Sequence, residues 1–217
     1  TTIYFNWTYV LSGSNTVDTV WITIMNESGV HNHSEFTGQI EEYNMALVSG
    51  VVYQFNVSAN DSENNFFTAG QRNFTQDNIT PLIDFDSETL ANNTLTSDEW
   101  LYINWTITEA NIETIIVVIE NGTDIINHSE FSGGVLDYNT SLVLQDNHTY
   151  YYNVSVKDAV GRLNTTELRT IIIDKVAPTI SFGSEVENNN TYLNSPTLYI
   201  NWTVSDNNLD TITVSIF

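Results

Sequence analysis

Apolar and polar residues alternate along much of this chain, and one alternating segment occurs three times. Residues 3–8 read IYFNWT, and residues 101–106 and 198–203 both read LYINWT. In an extended strand, alternation with a period of two sends the apolar residues of each copy to one face and the polar residues, such as Asn104 and Thr106, to the other. Each copy therefore predicts a half-buried β-strand.

The spacing of these copies, about 97 residues, predicts a tandem repeat. Another segment recurs at a similar spacing, since NHSEF occurs at 32–36 and again at 127–131, a shift of 95 residues that small insertions or deletions in loops account for. We expect residues 1–80 to form a repeat that lacks its first strand, residues 81–177 to form a complete repeat, and residues 178–217 to form the N-terminal part of a third. Either a longer chain continues on both sides, or a neighbouring copy supplies the missing strand.

The complete repeat is predicted to contain seven short strands. Turn signals such as Asn-Gly at 121–122 separate alternating or β-branched segments, and no segment has a convincing helical period. The predicted strands cover residues 82–86, 100–108, 113–120, 124–128, 141–144, 149–157 and about 167–173. Short strands at such spacings predict an all-β fold made of tandem antiparallel β-sandwich domains.

The tryptophan of the repeated strand is expected to anchor the core of each repeat. Trp105 lies on the apolar face with Leu101 and Ile103, and Trp7 and Trp202 hold the same position in the other two copies. A large aromatic side chain dominates the energetics of the core in which it is buried.

The amino-acid composition indicates the environment in which the protein functions. With 217 residues and 41% apolar content, the chain can bury a sizeable core. It has 27 acidic against 5 basic residues, a net charge of −22, which excludes nucleic acid as a partner. It has no cysteine, and an extracellular protein without disulfides points to a prokaryotic surface. It lacks a run of about 18 apolar residues and opens without a charged and apolar leader, so we expect no direct membrane insertion in this segment.

Asn-x-Ser/Thr sequons are the clearest chemical signal. The chain has seventeen, whereas chance placement in this composition gives roughly six. Strand alternation accounts for some of them, but not for those in turns. We predict N-glycans at sixteen: Asn6, Asn26, Asn32, Asn56, Asn60, Asn73, Asn92, Asn104, Asn121, Asn127, Asn139, Asn147, Asn153, Asn164, Asn189 and Asn201. Asn78 is set aside because Pro81 follows its threonine.

Carboxylates gather where the predicted repeats meet, and they are the hard oxygen ligands that Ca²⁺ prefers. The residues concerned are Asp77, Asp84, Asp86 and Glu88 at one junction and Asp174, Glu185 and Glu187 at the next. One interpretation is that these carboxylates bind Ca²⁺ at the junctions. The other is that they are solvated surface acids, because two of the acidic positions after one junction, those of Asp84 and Asp86, are not acidic after the next.

The sequence contains no recognisable catalytic constellation and no site for a non-covalent organic cofactor. No histidine has a second histidine or a glutamate at zinc-binding spacing. There is no nucleophile elbow and no Gly-rich phosphate loop. Carboxylates are plentiful, but nothing singles out a pair suited to glycoside hydrolysis. We therefore expect no enzymatic activity.

Each repeat carries a leucine six residues before a strand tyrosine, as Leu47 and Tyr53 or Leu144 and Tyr150. This pattern resembles the tyrosine corner of the fibronectin type III and bacterial Ig-like families. The resemblance implies an Ig-like sandwich in which Tyr150 closes the corner between strands E and F. Asp146 stands where the family usually has proline. The DKVAP segment at 174–178 resembles the junctions between Ig-like repeats of prokaryotic surface proteins.

These observations favour a non-enzymatic, N-glycosylated structural protein of a prokaryotic, archaeal cell surface, such as an S-layer, a filament or a stalk. Its expected partners are identical chains. The segment at 173–178 lacks Gly and Ser, so we expect a stiff array with domains spaced by roughly 35–45 Å. Two other readings remain open: an adhesin that recognises glycans or another cell, and accessory domains of a secreted hydrolase.

Overall fold

The computed structural model describes residues 2–11, 13–140 and 143–216, and every regular element within them is a β-strand. The prediction of an all-β chain is confirmed. No helix in this described part is long and apolar enough to cross a membrane.

The chain divides into two units, which we describe separately. The first consists of Thr1–Pro81 together with two loop segments, Glu109–Asn111 and Asp158–Arg162. The second consists of the remaining residues. The strands of the first unit are β1 (Thr2–Asn6), β2 (Val17–Asn26), β3 (Gly29–Thr37), β4 (Glu42–Ala46), β5 (Val51–Asp61), β6 (Phe66–Thr68) and β7 (Arg72–Gln76).

The first unit has two sheets that share one core. β1 pairs with β4, and the larger sheet has the order β3-β2-β5-β6, with β7 also paired to β5. Phe5 on β1 reaches the larger sheet, since its ring centroid lies 4.9 Å from that of Phe55 and 5.9 Å from that of Phe74. The apolar face of β2 is buried beneath it. Two sheets packed through their apolar faces form a β-sandwich.

The second unit contains the complete repeat and a further strand pair. Its strands are β8 (Leu82–Phe85), β9 (Thr94–Thr96), β10 (Tyr102–Thr108), β11 (Ile112–Glu120), β12 (Ile125–Phe131), β13 (Asp137–Asn139), β14 (His148–Asp158), β15 (Leu163–Thr165), β16 (Arg169–Ile173), β17 (Thr179–Phe182) and β18 (Trp202–Ser205).

The complete repeat is also a sandwich. One sheet has the order β13-β10-β8, and the other has the order β12-β11-β14-β16-β9, with β15 paired to β14. Phe85 from the first sheet meets Tyr152 from the second, with ring centroids 5.5 Å apart. The predicted Ig-like sandwich is confirmed. One pair departs from the antiparallel pattern, because β9 runs parallel to β16.

Alternation on β10 and β14 follows the prediction. Leu101, Ile103 and Trp105 are buried, with Trp105 only 1% exposed, and the indole nitrogen of Trp105 donates a hydrogen bond to the carbonyl of Val135 at 3.0 Å. On β14 every second side chain from Tyr150 onward is buried.

The tyrosine corners are present in both sandwiches. The Tyr150 hydroxyl accepts a hydrogen bond from the backbone N–H of Gln145 at 2.9 Å. In the first unit, the Tyr53 hydroxyl accepts one from the backbone N–H of Val48 at 3.2 Å. Each bond spans five residues and closes the loop that precedes the long strand.

The prediction of a strand over 141–144 is wrong for the described residues Val143 and Leu144, while Ser141 and Leu142 lie outside the described residues. Leu144 lies in a loop, and its backbone N–H donates to the carbonyl of Glu99. Its side chain is buried in the core, but the residue belongs to no β-sheet. The strand that pairs with β10 at this edge is β13. The strand predicted from residue 100 begins at Tyr102, because Trp100 is exposed outside it.

The tryptophan prediction holds fully for Trp105, while Trp7 packs against its core without being buried in it. Trp7 is half-buried at the edge of its core, with its indole N–H donated to the Tyr9 hydroxyl at 2.6 Å. Trp202 is 38% exposed. Within the described residues β17 and β18 pair only with each other, so no second sheet covers this tryptophan.

Candidate functional site

The outer face of β10 presents the repeated sequon to solvent. The backbone of Asn104 is fixed by Thr89, whose hydroxyl accepts from the Asn104 N–H and donates to the Asn104 carbonyl, both at 2.7 Å. With Ile103 and Trp105 buried, the side chains of Asn104 and Thr106 are left on the outer face, half-exposed and exposed. The predicted outward orientation of this sequon is confirmed.

Tyr102 shares this face with acidic neighbours. Partial burial raises the pKa of the Tyr102 hydroxyl, and the negative charges of Asp137 and Glu88 raise it further, while the polar Asn104 side chain acts in the opposite direction. The Asn104 amide nitrogen donates to the Glu88 carboxylate at 3.1 Å. The sequon asparagine therefore contacts a glutamate and shares its strand face with a tyrosine.

The other sequons are also accessible. All seventeen sequon asparagines lie in the described part of the chain, and none of their side chains is buried. Those exposed are Asn6, Asn73, Asn78, Asn92, Asn139, Asn147 and Asn189, and those half-exposed are Asn26, Asn32, Asn56, Asn60, Asn104, Asn121, Asn127, Asn153, Asn164 and Asn201. Attachment of a sugar requires such access, and the occupancy of these sites stays a prediction.

Two equivalent sequons bring the same three types of side chain together. The Asn127 amide nitrogen donates to the Tyr138 hydroxyl at 2.9 Å, and the amide oxygen accepts from the Ser129 hydroxyl at 3.0 Å. In the first unit, the Asn32 amide oxygen accepts from the hydroxyls of both Ser34, at 3.0 Å, and Tyr43, at 3.3 Å. An asparagine amide has two N–H groups, so at least one remains for a sugar in either sequon while these hydrogen bonds are kept.

Asn201 differs from the equivalent Asn104. Its amide oxygen is buried and has no hydrogen-bond partner among the described residues. The side chain occupies the space beside Gly183, where an added Cβ would lie 1.4 Å from the amide oxygen. The equivalent of Gly183 in the complete repeat is Asp86, which leaves no such space. The Asn201 amide is therefore packed against Gly183, which restricts the room for a sugar in this orientation.

A group of carboxylates forms a second candidate site, within the first unit. The ligand oxygens of Asp77, Glu109 and Asp158 lie within 4.8 Å of one another. Arg162 approaches two of them, with its Nη1 atom 3.4 Å from Asp158 Oδ2 and 3.6 Å from Asp77 Oδ1. Asn111 donates its side-chain N–H to Asp77 Oδ2 at 3.0 Å. One oxygen of Glu109 is buried without a hydrogen-bond partner in the described chain.

Hydrogen bonds stabilise the charged form of Asp158. Burial by itself raises the pKa of this carboxyl, but the backbone N–H groups of Arg162 and Val160, together with the Arg162 side chain, lower it below its ordinary value. The group contains three carboxylates and one guanidinium, so it has excess negative charge. Its oxygens are of the kind that bind Ca²⁺, and the predicted Ca²⁺ site stays a prediction.

Sequence reasoning named only Asp77 among these three acids, although the repeat register held the signal. Asp174, Asp206 and Asn208 occupy the positions of Asp77, Glu109 and Asn111 one repeat later. Within the second unit, Asn208 donates its side-chain N–H to Asp174 Oδ2 and its backbone N–H to Asp206 Oδ1, both at 2.8 Å. Asn111 makes the same two types of bond in the first unit.

The acids predicted past the junctions have other roles. Asp84 and Asp86 each accept a hydrogen bond from the backbone N–H of the next residue, and Glu88 accepts from Asn104. Neither these residues nor Glu185 and Glu187 join the carboxylate group in the described part of the chain.

The two layered sheets, the tyrosine corners and the repeated strand place the chain in the class of tandem Ig-like β-sandwich proteins. Among solved structures, it is similar to the FN1-FN3 domains of chicken CNTN1, with a TM-score of 0.40 and 14% identity over 80% of this chain and 63% of that one. It is also similar to the fibronectin(III)-like modules of Clostridium thermocellum CbhA, with a TM-score of 0.37 and 12% identity over 80% of this chain and 85% of that one. No protein-family model matches the sequence, and no curated protein matches it.

Proposed function

We propose that this chain is a non-enzymatic structural segment of an archaeal cell surface, built from tandem Ig-like domains and coated with N-glycans. The observation that supports it most is the division of each strand into two faces. On β10 the inner side chains form the core, and the outer side chains include a sequon with both of its required residues accessible. The same division on β14 places the Asn153 sequon outward.

Glycans on these faces would serve a structural protein in two ways. Sandwiches expose unpaired edge strands and polar faces, and bulky hydrophilic groups there prevent unwanted pairing. The chain has few lysines or arginines to perform that role, since only five of its 217 residues are basic. Sugars and carboxylates together would keep the surfaces of neighbouring copies hydrated and would prevent contacts other than those of the assembly.

The segment that follows β16 is tied to its own sandwich, which favours a stiff array. The Asp174 N–H donates to the carbonyl of Thr96 at 2.9 Å. The Lys175 ammonium group donates to the carbonyl of Leu144 at 2.6 Å and lies 3.8 Å from Glu99. A segment held by several hydrogen bonds has fewer conformations than a free linker, and a load-bearing surface element requires such segments.

Electron microscopy of the native protein, isolated from the cell surface without denaturants, tests the structural role. We expect ordered assemblies of many copies, as a lattice, a filament or a stalk. Single particles with broadly distributed angles between neighbouring domains would contradict the proposal and favour a flexible adhesin.

A further inference from the structure

Tyr102 is an exposed aromatic residue, 36% accessible, with a sequon asparagine on two sides. On its own strand Asn104 follows two residues later on the same face, and on β13 Asn139 lies directly opposite. Residues two apart on a strand are about 7 Å apart, and directly opposite residues are about 4.5–5.5 Å apart. The first sugar on either asparagine is therefore within reach of the ring.

The side chains of Tyr102 and Asn104 lie on the same outer face of β10, and a hydrogen bond to Glu88 holds the Asn104 amide there. Of the two N–H groups on the Asn104 amide, one donates to Glu88, which orients the amide along the outer face. A sugar on the other N–H would start beside the tyrosine ring and would not have to displace the Glu88 bond.

The spacing recurs at three other sequons, where Tyr4 precedes Asn6, Tyr151 precedes Asn153 and Tyr199 precedes Asn201 by two residues. The first two pairs lie on strands β1 and β14. Tyr4 is exposed and Tyr151 is half-exposed, so each presents ring surface on the face of its sequon. A phenol ring combines a flat apolar face with a polar tip, which suits the C–H face and the hydroxyls of a pyranose.

We propose that Tyr102 is a stacking platform for the first pyranose of an N-glycan on Asn104. The inference rests on the proposed glycosylation and adds a role for the sugar. The stacked sugar covers the exposed ring and holds the first residue of the glycan against β10. The glycan then stabilises the folded sandwich, because the contact is lost when the strand unfolds.

A double-mutant cycle in the full chain, produced in a host that N-glycosylates it, tests the proposal. Thr106→Val removes the sequon with an isosteric residue and leaves Asn104 and Tyr102 unchanged. Tyr102→Ala removes the ring, and Tyr102→Phe retains it. Glycopeptide mass spectrometry first establishes which sequons are occupied, and calorimetry then follows thermal unfolding of the second unit.

We expect loss of the Asn104 glycan to lower the melting temperature by about 2–6 °C when Tyr102 or Tyr102→Phe is present, and to have no resolvable effect in the Tyr102→Ala variant. The matched control is the Asn73 sequon, which has Gln71 at the position of the tyrosine. There, Thr75→Val should shift melting of the first unit equally with and without Gln71→Ala.

The outcomes separate the two proposals. An occupied Asn104 whose glycan shifts melting equally in both tyrosine backgrounds overturns the stacking inference and leaves the glycosylation standing. A bare Asn104 beside other occupied sequons also overturns the stacking inference alone. If every sequon is bare in the native protein, both proposals fail.

Discussion

Trp105 and Trp202 occupy the same position in the repeated strand, yet Trp105 is 1% exposed and Trp202 is 38% exposed. The local sequence around them is nearly identical, so the difference arises from what packs against each strand. β10 is covered by a second sheet, and β18 pairs only with β17 among the described residues. The energetic value of a residue in this repeat is therefore set by its tertiary surroundings.

The two faces of β10 provide a matched pair of variants. Trp105→Ala removes a fully buried side chain and should lower the free energy of unfolding of its sandwich by about 3–5 kcal/mol. Thr108→Ala, on the exposed face of the same strand, should change stability by no more than about 0.5 kcal/mol. Denaturant unfolding of each variant measures the difference. Equal effects of the two substitutions would show that the inner and outer faces of β10 are wrongly assigned.

Tyr150 tests the corner that closes the loop before β14. Tyr150→Phe keeps the buried ring but leaves the Gln145 N–H without its partner, so we expect a loss of about 1 kcal/mol in stability. Tyr151→Phe, on the outer face of the same strand, controls for the removal of a hydroxyl group. If the hydrogen bond of the tyrosine corner contributes nothing to stability, the two variants will have the same free energy of unfolding in denaturant.

Among the strands, the long ones could be predicted from the alternation of apolar and polar residues, and the short ones could not. β10 and β14 each bury one face, so their patterns are visible in the sequence. β9, β13 and β15 have three residues each and lie in polar sequence. They are strands because a longer strand offers hydrogen bonds beside them, which no local pattern records.

The carboxylate group illustrates the same limit for sites. Asp77, Glu109 and Asp158 are far apart in sequence and come together only in the fold. Accessible sequons, in contrast, follow from the alternation of single strands, so their exposure was predictable. Aligning the acids of successive repeats position by position would have pointed to Asp77 and Glu109, whose positions are acidic again at Asp174 and Asp206.

The last residue of β5, Asp61, has a carboxylate whose titration should be visible in the stability of the first unit. The Asn65 side chain and backbone, with further hydrogen bonds from Asn15 and from the Glu63 backbone, lower the pKa of Asp61 from 3.8 to about 2. Because the folded pKa is depressed, this group stabilises the first unit above pH of about 4, and the contribution is lost as the pH falls towards about 2.

We therefore expect the melting temperature of the first unit to fall between pH of about 4 and 2, and Asp61→Asn to flatten this slope and lower stability near neutral pH. Asp18→Asn, a change at an exposed residue of β2, controls for the loss of one negative charge. Calorimetry across this pH range measures both. An Asp61→Asn variant with an unchanged slope would contradict the proposed role of this carboxylate.

For the whole molecule, the account depends on sugars covering the outer faces of the sandwiches. The chain combines a net charge of −22 with seventeen sequons, and none of the sequon asparagines is buried in the described structure. The proposed carbohydrate coat would distinguish a surface-exposed structural array from an ordinary β-sandwich protein.

Glycopeptide mass spectrometry of the protein isolated from its native cells is the most direct test. The account predicts sugars on the strand-face sequons Asn6, Asn104 and Asn153, and none on Asn15 or Asn44, which lie outside sequons. Asn201 should have lower occupancy than Asn104, because its amide oxygen is buried beside Gly183. Finding Asn6, Asn104 and Asn153 all unmodified would contradict the central claim.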